Sequence, residues 1–497
     1  MNKKQNSIDY YLQENIKEES LNILRKLQSL SIGLNVYVVG GFVRDMFLQH
    51  INNIHDIDLI INNNVYEYSK KIANFFNAKL IILDDTKHIY RVILKHTLQI
   101  KHVDIAMMNG NNIQEDLLNR DFTINALAFK LNTFVNFKLN IIVSQHDSQK
   151  TFNDLQLKIL DTISNKVFVS DPLRMLRVFR FMSKYQYIPT KNTLRQIKEH
   201  AQLISTISPE RIKNEFCQIL SSNTAYKLIK HMYKCKLLTA VLPEIKNLEK
   251  ANKQHYYHPG GLLQHSFETM KSVENILNNL EIFFPKTYIH LQKHFNNNIM
   301  LSEYVTRSNL LKFVSLLHDN AKPETVSYKN NKMHFLGHDV QGALKIKKIM
   351  KLMKFSKKDI DISTLLIANH MRPSNLTKNK VITIRAALKL FRDIKEDIPD
   401  LLILSMADWY SYIKLKCFSM KTLKMQKQNV QKLLFDYYQY KYQISLPKII
   451  DGNIIMKQFN LKSGPHIGEL LEFVNEAISK GKISNTKEAL EILSSQI

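Results

Sequence analysis

The chain is poor in the residues that staple or punctuate a fold: three cysteines, 12 glycines, 11 prolines and one tryptophan among 497 residues. Cys217, Cys235 and Cys417 lie far apart, with no CxxC or Cys-His spacing. A disulfide framework and a thiolate zinc site are therefore excluded, and a reducing compartment fits. No stretch reaches about 18 uncharged apolar residues, which excludes a membrane-spanning helix on sequence grounds. The first 20 residues have no apolar core region and carry early acids, so neither a secretory signal nor a typical transit peptide fits. The expectation is a cytoplasmic, bacterial-type protein, with an organelle as the alternative. Acidic residues are also short: 44 against 70 Lys plus Arg, a net charge of +26.

Lys, Asn and Ile abound throughout, even in expected loops such as Asn296-Asn297-Asn298 and Lys329-Asn330-Asn331-Lys332. That pattern is typical of AT-rich coding sequence, so part of the charge reflects drift. Whatever its origin, +26 attracts polyanions. Nucleic acid is the favoured partner over acidic membrane, because no concentrated Lys/Arg block or amphipathic anchor stands out. An apolar fraction of 44% excludes wholesale disorder, and the length suggests about three domains.

Residues 1–30 read as an amphipathic helical segment. Strands are expected at 35–39, 57–61, 78–83, 89–94 and 101–107, mixed with helices to about residue 145. Beyond Asp154 the spacing is almost purely helical, with few turn signals apart from Pro259-Gly260-Gly261. The fold class is α+β: a small mixed-sheet head, 31–150, then a helical neck, 151–250. A histidine-bearing helical domain, 251–425, and a helical basic tail, 426–497, complete the expected organisation.

In the head, Asp56 and Asp58 stand at i and i+2, which on a strand puts both carboxylates on one face, about 7 Å apart. Like charges so placed call for a divalent cation, and Asp104, on another strand, is a candidate third ligand. Three carboxylates around Mg²⁺ suit two-metal nucleotidyl transfer. Upstream, Gly40-Gly41-Phe42-Val43-Arg44-Asp45 marks a strand-to-helix turn where backbone N–H groups could approach a phosphate, with Arg44 beside them. Each motif alone also fits an ordinary role: a solvated strand end, and an Arg44–Asp45 local pair.

Taken in order, these residues resemble the class II tRNA nucleotidyltransferases and bacterial poly(A) polymerases. The resemblance continues through Arg120-Asp121-Phe122-Thr123-Ile124-Asn125-Ala126, the stretch Asp171 to Phe181, and Glu210-Arg211-Ile212 to Glu215. It implies Asp56 and Asp58 as Mg²⁺ ligands, and Arg120, Asp121 and Asn125 as contacts to the nucleotide's sugar and phosphates. It also implies that Asp171 and Arg174 pair with the incoming base. A carboxylate accepting from an exocyclic amino group, beside a guanidinium donating to a ring nitrogen, suits cytosine and adenine and opposes uracil and guanine. Arg177 and Arg180 would continue the basic helix toward triphosphate or the tRNA acceptor end. Ser170 stands where the family often has Glu, Asn119 where it often has Arg, and Thr151 to Leu155 lacks the usual glycine. Only 11 residues separate Asp104 from Asp116, a short loop that resembles the enzymes adding two cytidines.

A second series, His265, His318-Asp319 and Asp408, resembles the HD phosphohydrolase domain, with His338 and His370 matching the further histidines of its dinuclear forms. Imidazole and carboxylate together suit a second divalent metal with a bound water. His255 and His258 read as shaping a turn, and Trp409 as core. The implied activity is Mg²⁺-dependent addition of C, A or both to the 3′ end of tRNA from CTP and ATP, with no membrane partner. The alternatives are a poly(A) polymerase, an HD-type phosphohydrolase with an inactive head, and a non-enzymatic RNA-binding protein. Oligomeric state is left open.

Overall fold

The computed structural model describes residues 18–48, 56–95, 97, 100–133, 141–143, 148–251, 260–330, 332–377, 382–412, 420–445, 450–479, 483 and 485–495. His255 and His258 lie outside the described residues. The chain packs as two units, residues 1–208 with 231–241 and residues 209–230 with 242–497, so the expected neck is shared between them. Among the described residues no helix is long and apolar enough to cross a membrane.

In the first unit, helix α1 (Glu18–Leu30) buries Leu21, Leu24 and Leu27, a three-residue spacing that gives one apolar stripe. Seven strands form one mixed sheet: β1 (Val36–Val39), β2 (Asp56–Ile61), β3 (Lys79–Asp84), β4 (Ile89–Ile93), β5 (His102–Met107), β6 (Leu127–Lys130) and β7 (Ile141–Val143), in the order β3-β4-β5-β2-β1-β6-β7. Only β2 and β5 run parallel; the other neighbours are antiparallel. The period of two decides which side chains face the core. Ile57 and Leu59 of β2, Val103 and Ile105 of β5, and Tyr90 and Val92 of β4 are buried. Asp58, Asp104 and Arg91 occupy the alternate positions and share the opposite face. Helix α2 (Gly41–Phe47) follows β1, α3 (Val65–Phe75) follows β2, α4 (Ile113–Leu118) follows β5, and α5 (Arg174–Tyr185) carries the basic motif.

The second unit is mostly helical. Its central helix α6 (Leu262–Asn278) packs on α7 (Arg307–Leu317) and α10 (Ile398–Ser411), with α8 (His338–Leu352) and α9 (Lys357–Asn369) paired beside them. Residues 308–317 of α7 are all buried, so its polar side chains need internal partners. Asn309 donates to the Tyr304 carbonyl at 2.9 Å, and Lys312 donates to the Leu220 and Ser222 carbonyls at 3.0 and 2.6 Å. The helical expectation beyond Asp154 missed a hairpin, β8 (Val326–Lys329) with β9 (Lys332–Phe335). The two strands flank the stretch read as a loop, where Asn330 has φ 51°, a backbone geometry that asparagine tolerates. Trp409 is only half-buried; its indole N–H donates to Ser374 Oγ at 2.8 Å. A terminal core of Ile455, Leu470, Val474, Ala489 and Leu493 is built from helices Gly452–Phe459, Pro465–Ser479 and Thr486–Ser494.

Candidate active site

The sheet's polar face opens into a cleft of about 570 Å³ within the first unit. One wall is β2 and the β1–α2 turn, and the other is one face of α5. Asp56, Asp58, Gly40, Gly41, Arg44, Arg120, Asp121, Asn125, Arg174, Arg177 and Arg180 line it, together with residues whose role the sequence did not disclose: Asn109, Asp116, Asn119, Phe181, Lys184 and Tyr185. Asp104 and Asp171 are not among the lining residues.

Gly40 sits at φ 72°, and a Cβ built there would lie 2.8 Å from Asp58 Oδ2 and 3.5 Å from Arg120 Nη1. The glycine thus lets the turn press against Asp58, and that carboxylate occupies the space above it. Gly40→Ala combines a clash with a disfavoured backbone and is expected to cost about 1–3 kcal/mol, read as a lower melting temperature of purified protein. Burial, then Asp104, push the Asp58 carboxyl up to about 6, with Asp56 adding to the push and Arg120 and Arg177 opposing it. A paired acid with a raised affinity for positive charge fits a divalent cation.

Asp121 is buried. Its Oδ1 accepts from the Phe122 N–H and from Asn125 Nδ2, both at 2.9 Å, and Arg177 lies 3.0 Å from its Oδ2. Burial alone would raise this carboxyl; Arg177 and the Asn125 bond hold it below the usual carboxylate range. Asn125 Oδ1 in turn accepts from Arg44 Nη1 at 2.9 Å. Arg44 also donates to Asp45 at 2.8 Å and to the Tyr185 hydroxyl at 3.1 Å, and lies over the Tyr185 and Phe181 rings. Arg44 thus lines the cleft while its guanidinium takes part in a buried network that ties α2 to α5. Arg120 likewise holds Asp116 Oδ2 at 2.9 and 3.0 Å, an i, i+4 pair readable in the sequence.

Residues 174, 177, 180, 181, 184 and 185 recur at three- and four-residue spacing, so one face of α5 presents three arginines, a lysine and two aromatic rings to the cleft. Arg174 donates to Ser170 Oγ at 3.2 Å and to the Asn119 carbonyl at 3.1 Å. Asp171, in extended backbone, caps the Leu173 N–H at 3.1 Å. Asp171 and Arg174 are thus neighbours without both facing the cleft. Both oxygens of Asp104 accept from Arg91, at 2.7 Å each.

The second unit gathers the other series. His265 from α6, His318-Asp319 at the end of α7, His338 at the start of α8, His370 after α9 and Asp408 on α10 converge. His265 Nε2 lies 3.2 Å from His318 Nε2, 3.2 Å from Asp319 Oδ2 and 3.1 Å from Asp408 Oδ1. His338 and His370 approach Asp319 Oδ1 at 3.5 and 3.7 Å and each other at 3.3 Å. The opposite ring nitrogens are anchored: His318, His338 and His370 Nδ1 lie 2.9, 2.6 and 2.7 Å from the Ser315, Phe335 and Ile367 carbonyls, and His265 Nδ1 lies 2.9 Å from Ser411 Oγ. A carbonyl can only accept, so three of the Nδ1 atoms donate and their Nε2 atoms point inward, the atoms that would ligate a metal. Asp319 Oδ1 and Asp408 Oδ1 accept no well-formed hydrogen bond among the described residues, which also fits a cation, while Asp319 Oδ2 lies 2.6 Å from Lys322 Nζ.

Residues 36–160 match the family description "Poly A polymerase head domain", residues 188–249 "Probable RNA and SrmB-binding site of polymerase A", and residues 335–493 "tRNA nucleotidyltransferase domain 2 putative". These three segments, each less than half of the chain, are similar to domains of poly(A) polymerases and tRNA nucleotidyltransferases. Among curated proteins, the CC-adding tRNA nucleotidyltransferase of Synechocystis sp. is 32% identical over 37% of this chain and 41% of its own length. The chain therefore spans about two fifths of that relative's length. The A-adding tRNA nucleotidyltransferase of Deinococcus radiodurans is 24% identical over 91% of this chain and 93% of its own length. The fold is shared with the Thermotoga maritima CCA-adding enzyme complexed with tRNA, at a TM-score of 0.65 and 20% identity over 99% of this chain and 98% of that one. The head match covers the cleft residues from Gly40 to Asn125 but not those of α5, and the third match covers His338, His370 and Asp408.

Proposed function

We propose that the protein is a tRNA 3′-end nucleotidyltransferase that adds C, A or both from CTP and ATP, releasing pyrophosphate. What carries this reading is the juxtaposition, in one cleft, of the Asp56–Asp58 pair with the arginine face of α5. Asp56 and Asp58 would hold Mg²⁺, which supplies activation of the attacking hydroxyl and neutralisation of the leaving pyrophosphate. Arg177, Arg180 and Lys184 bind the triphosphate oxygens. Arg177 does so while paired with Asp121, so its guanidinium enters the cleft already oriented by a buried carboxylate. Asp121 and Asn125 hold the sugar, and Phe181 and Tyr185 close the far end against water.

Base choice rests on Arg174 donating to the ring nitrogen that cytosine and adenine both present as an acceptor, with Asp171 accepting from the amino group. Asp171 caps the Leu173 N–H through Oδ1, so its other oxygen is the one that would accept from the amino group. Arg174→Ala is expected to raise KM for CTP and ATP roughly tenfold to a hundredfold and to relax discrimination against UTP and GTP, since each lost base contact is worth about 1–3 kcal/mol. Initial rates with the four nucleotides check this. The basic surface around the cleft would grip the acceptor arm through phosphate and shape contacts.

The deciding experiment offers purified protein and Mg²⁺ tRNA transcripts lacking CCA, CA or A, with one nucleotide at a time. Extension by C only, by A only or by both assigns the specificity, and long A tracts on any RNA would assign a poly(A) polymerase. No extension of any transcript defeats the reading.

A second activity is favoured by a separate observation, the inward Nε2 atoms of His265, His318, His338 and His370 around Asp319. We propose that these residues and Asp408 hold a divalent metal centre of the HD type, and that the centre hydrolyses phosphate esters. His318→Ala would then remove hydrolysis while leaving nucleotide addition intact.

A further inference from the structure

Arg91, Asp104 and Asp58 form a row across three adjacent strands. Asp104 of β5 is in register with Asp58 of β2, and Arg91 of β4 is in register with Asp104. Parallel neighbours lie about 4.8 Å apart, so without compensation Asp58 and Asp104 would repel across one strand spacing. Arg91 offsets part of that repulsion. Its Nε and Nη2 donate to Asp104 Oδ1 and Oδ2, both at 2.7 Å, which is fork-to-fork geometry held by the strand pairing itself. The pair is partly screened, with side-chain exposures of 35% and 21%.

We propose that Arg91 is a positioning residue that withholds Asp104 from the cation, so that the head's metal is held by Asp56 and Asp58 alone. The proposal rests on the reading of Asp56 and Asp58 as the cation's ligands. Two considerations favour a two-carboxylate site. Mg²⁺ dehydrates reluctantly and is commonly bound by one or two carboxylates with substrate phosphates completing its shell. Recruiting Asp104 would also break two charge-assisted bonds and leave Arg91 facing the cation. The permanent charge of Arg91 thus does for Asp104 what the metal does for its neighbour, and the third acid serves to anchor β4 to β5.

The test is Mn²⁺ binding to the full-length protein without nucleotide, followed by the paramagnetic signal of the free ion. The quantity scored is the binding that Asp58→Asn removes, which separates the head from the histidine cluster. Asp104→Asn should leave the affinity within about twofold of the parent. Arg91→Met frees Asp104 and should tighten binding by about fivefold or more, and Asp104→Asn added to it should reverse that gain. Weakening by about tenfold in Asp104→Asn alone overturns the proposal, as does a gain in Arg91→Met that the second substitution does not reverse. If Arg91→Met does not fold, the Asp104→Asn arm decides by itself. Should Asp58→Asn remove no binding at all, the two-aspartate reading fails, and that result is distinct from either of the others.

Discussion

Replacing Asp58 by asparagine is expected to lower nucleotide addition by roughly a thousandfold while raising the melting temperature. The two effects come from the same electrostatics. Asp58 is half-buried beside Asp104 and Asp56, and its carboxyl is pushed up to about 6. A carboxylate whose folded value lies above its unfolded value costs stability once pH exceeds the unfolded value, and the full cost is reached above about 6. Discounted for partial solvent screening, that cost is about 1–3 kcal/mol. The neutral amide removes it but cannot carry the charge that holds a cation. Thermal melts in metal-free buffer and single-turnover extension rates check the pair of effects together. The stability gain should vanish near pH 4, where Asp58 of the parent is protonated as well. An unchanged extension rate in Asp58→Asn would remove Asp58 from the chemistry.

The legible part of this site was the part written in local spacing. Asp56 and Asp58 at i, i+2 within a β-branched run give a carboxylate face, and β2 takes that form. The arginines of α5 at three-residue spacing give a basic helical face, and they line the cleft. The series His265, His318-Asp319 and Asp408 was read through its resemblance to the HD domain, and these side chains meet around Asp319. What the sequence hid depends on pairing between distant segments. The Arg91–Asp104 fork exists only because β4 and β5 pair in one particular register. The role of Gly40 follows from where Asp58 lies in space, not from its neighbours in the chain. Arg44 was read from its place beside two glycines, and its bonds to Asn125 and Tyr185, 81 and 141 positions away, were not legible there. By contrast, the Asp116–Arg120 pair was a local signal open to the i, i+4 rule.

The other large effect is expected at Asp319. This fully buried carboxylate touches His265, His318, His338 and His370 and lies 2.6 Å from Lys322 Nζ. Burial opposes its charge, but His318 and Lys322 hold it well below the usual carboxylate range, so it is an anion at the centre of the cluster. In Asp319→Asn the cluster loses its shared anion, and Lys322, itself nearly buried, keeps its charge without that partner. Removing one member of such a buried set costs about 3–5 kcal/mol, far more than the pair contributes over an apolar replacement. The variant should therefore melt about 6–20 °C lower in the transition that reports the second unit, at the few degrees per kcal/mol usual for domains of this size. Metal content of the purified protein, measured by elemental analysis, should fall with it to that of a His265/His318 double alanine variant. His318→Ala, which leaves Asp319 paired with Lys322, should lose metal with a smaller thermal penalty. Retention of the parent's metal content in both variants would show that the convergent histidines are a packed polar core and not a metal centre.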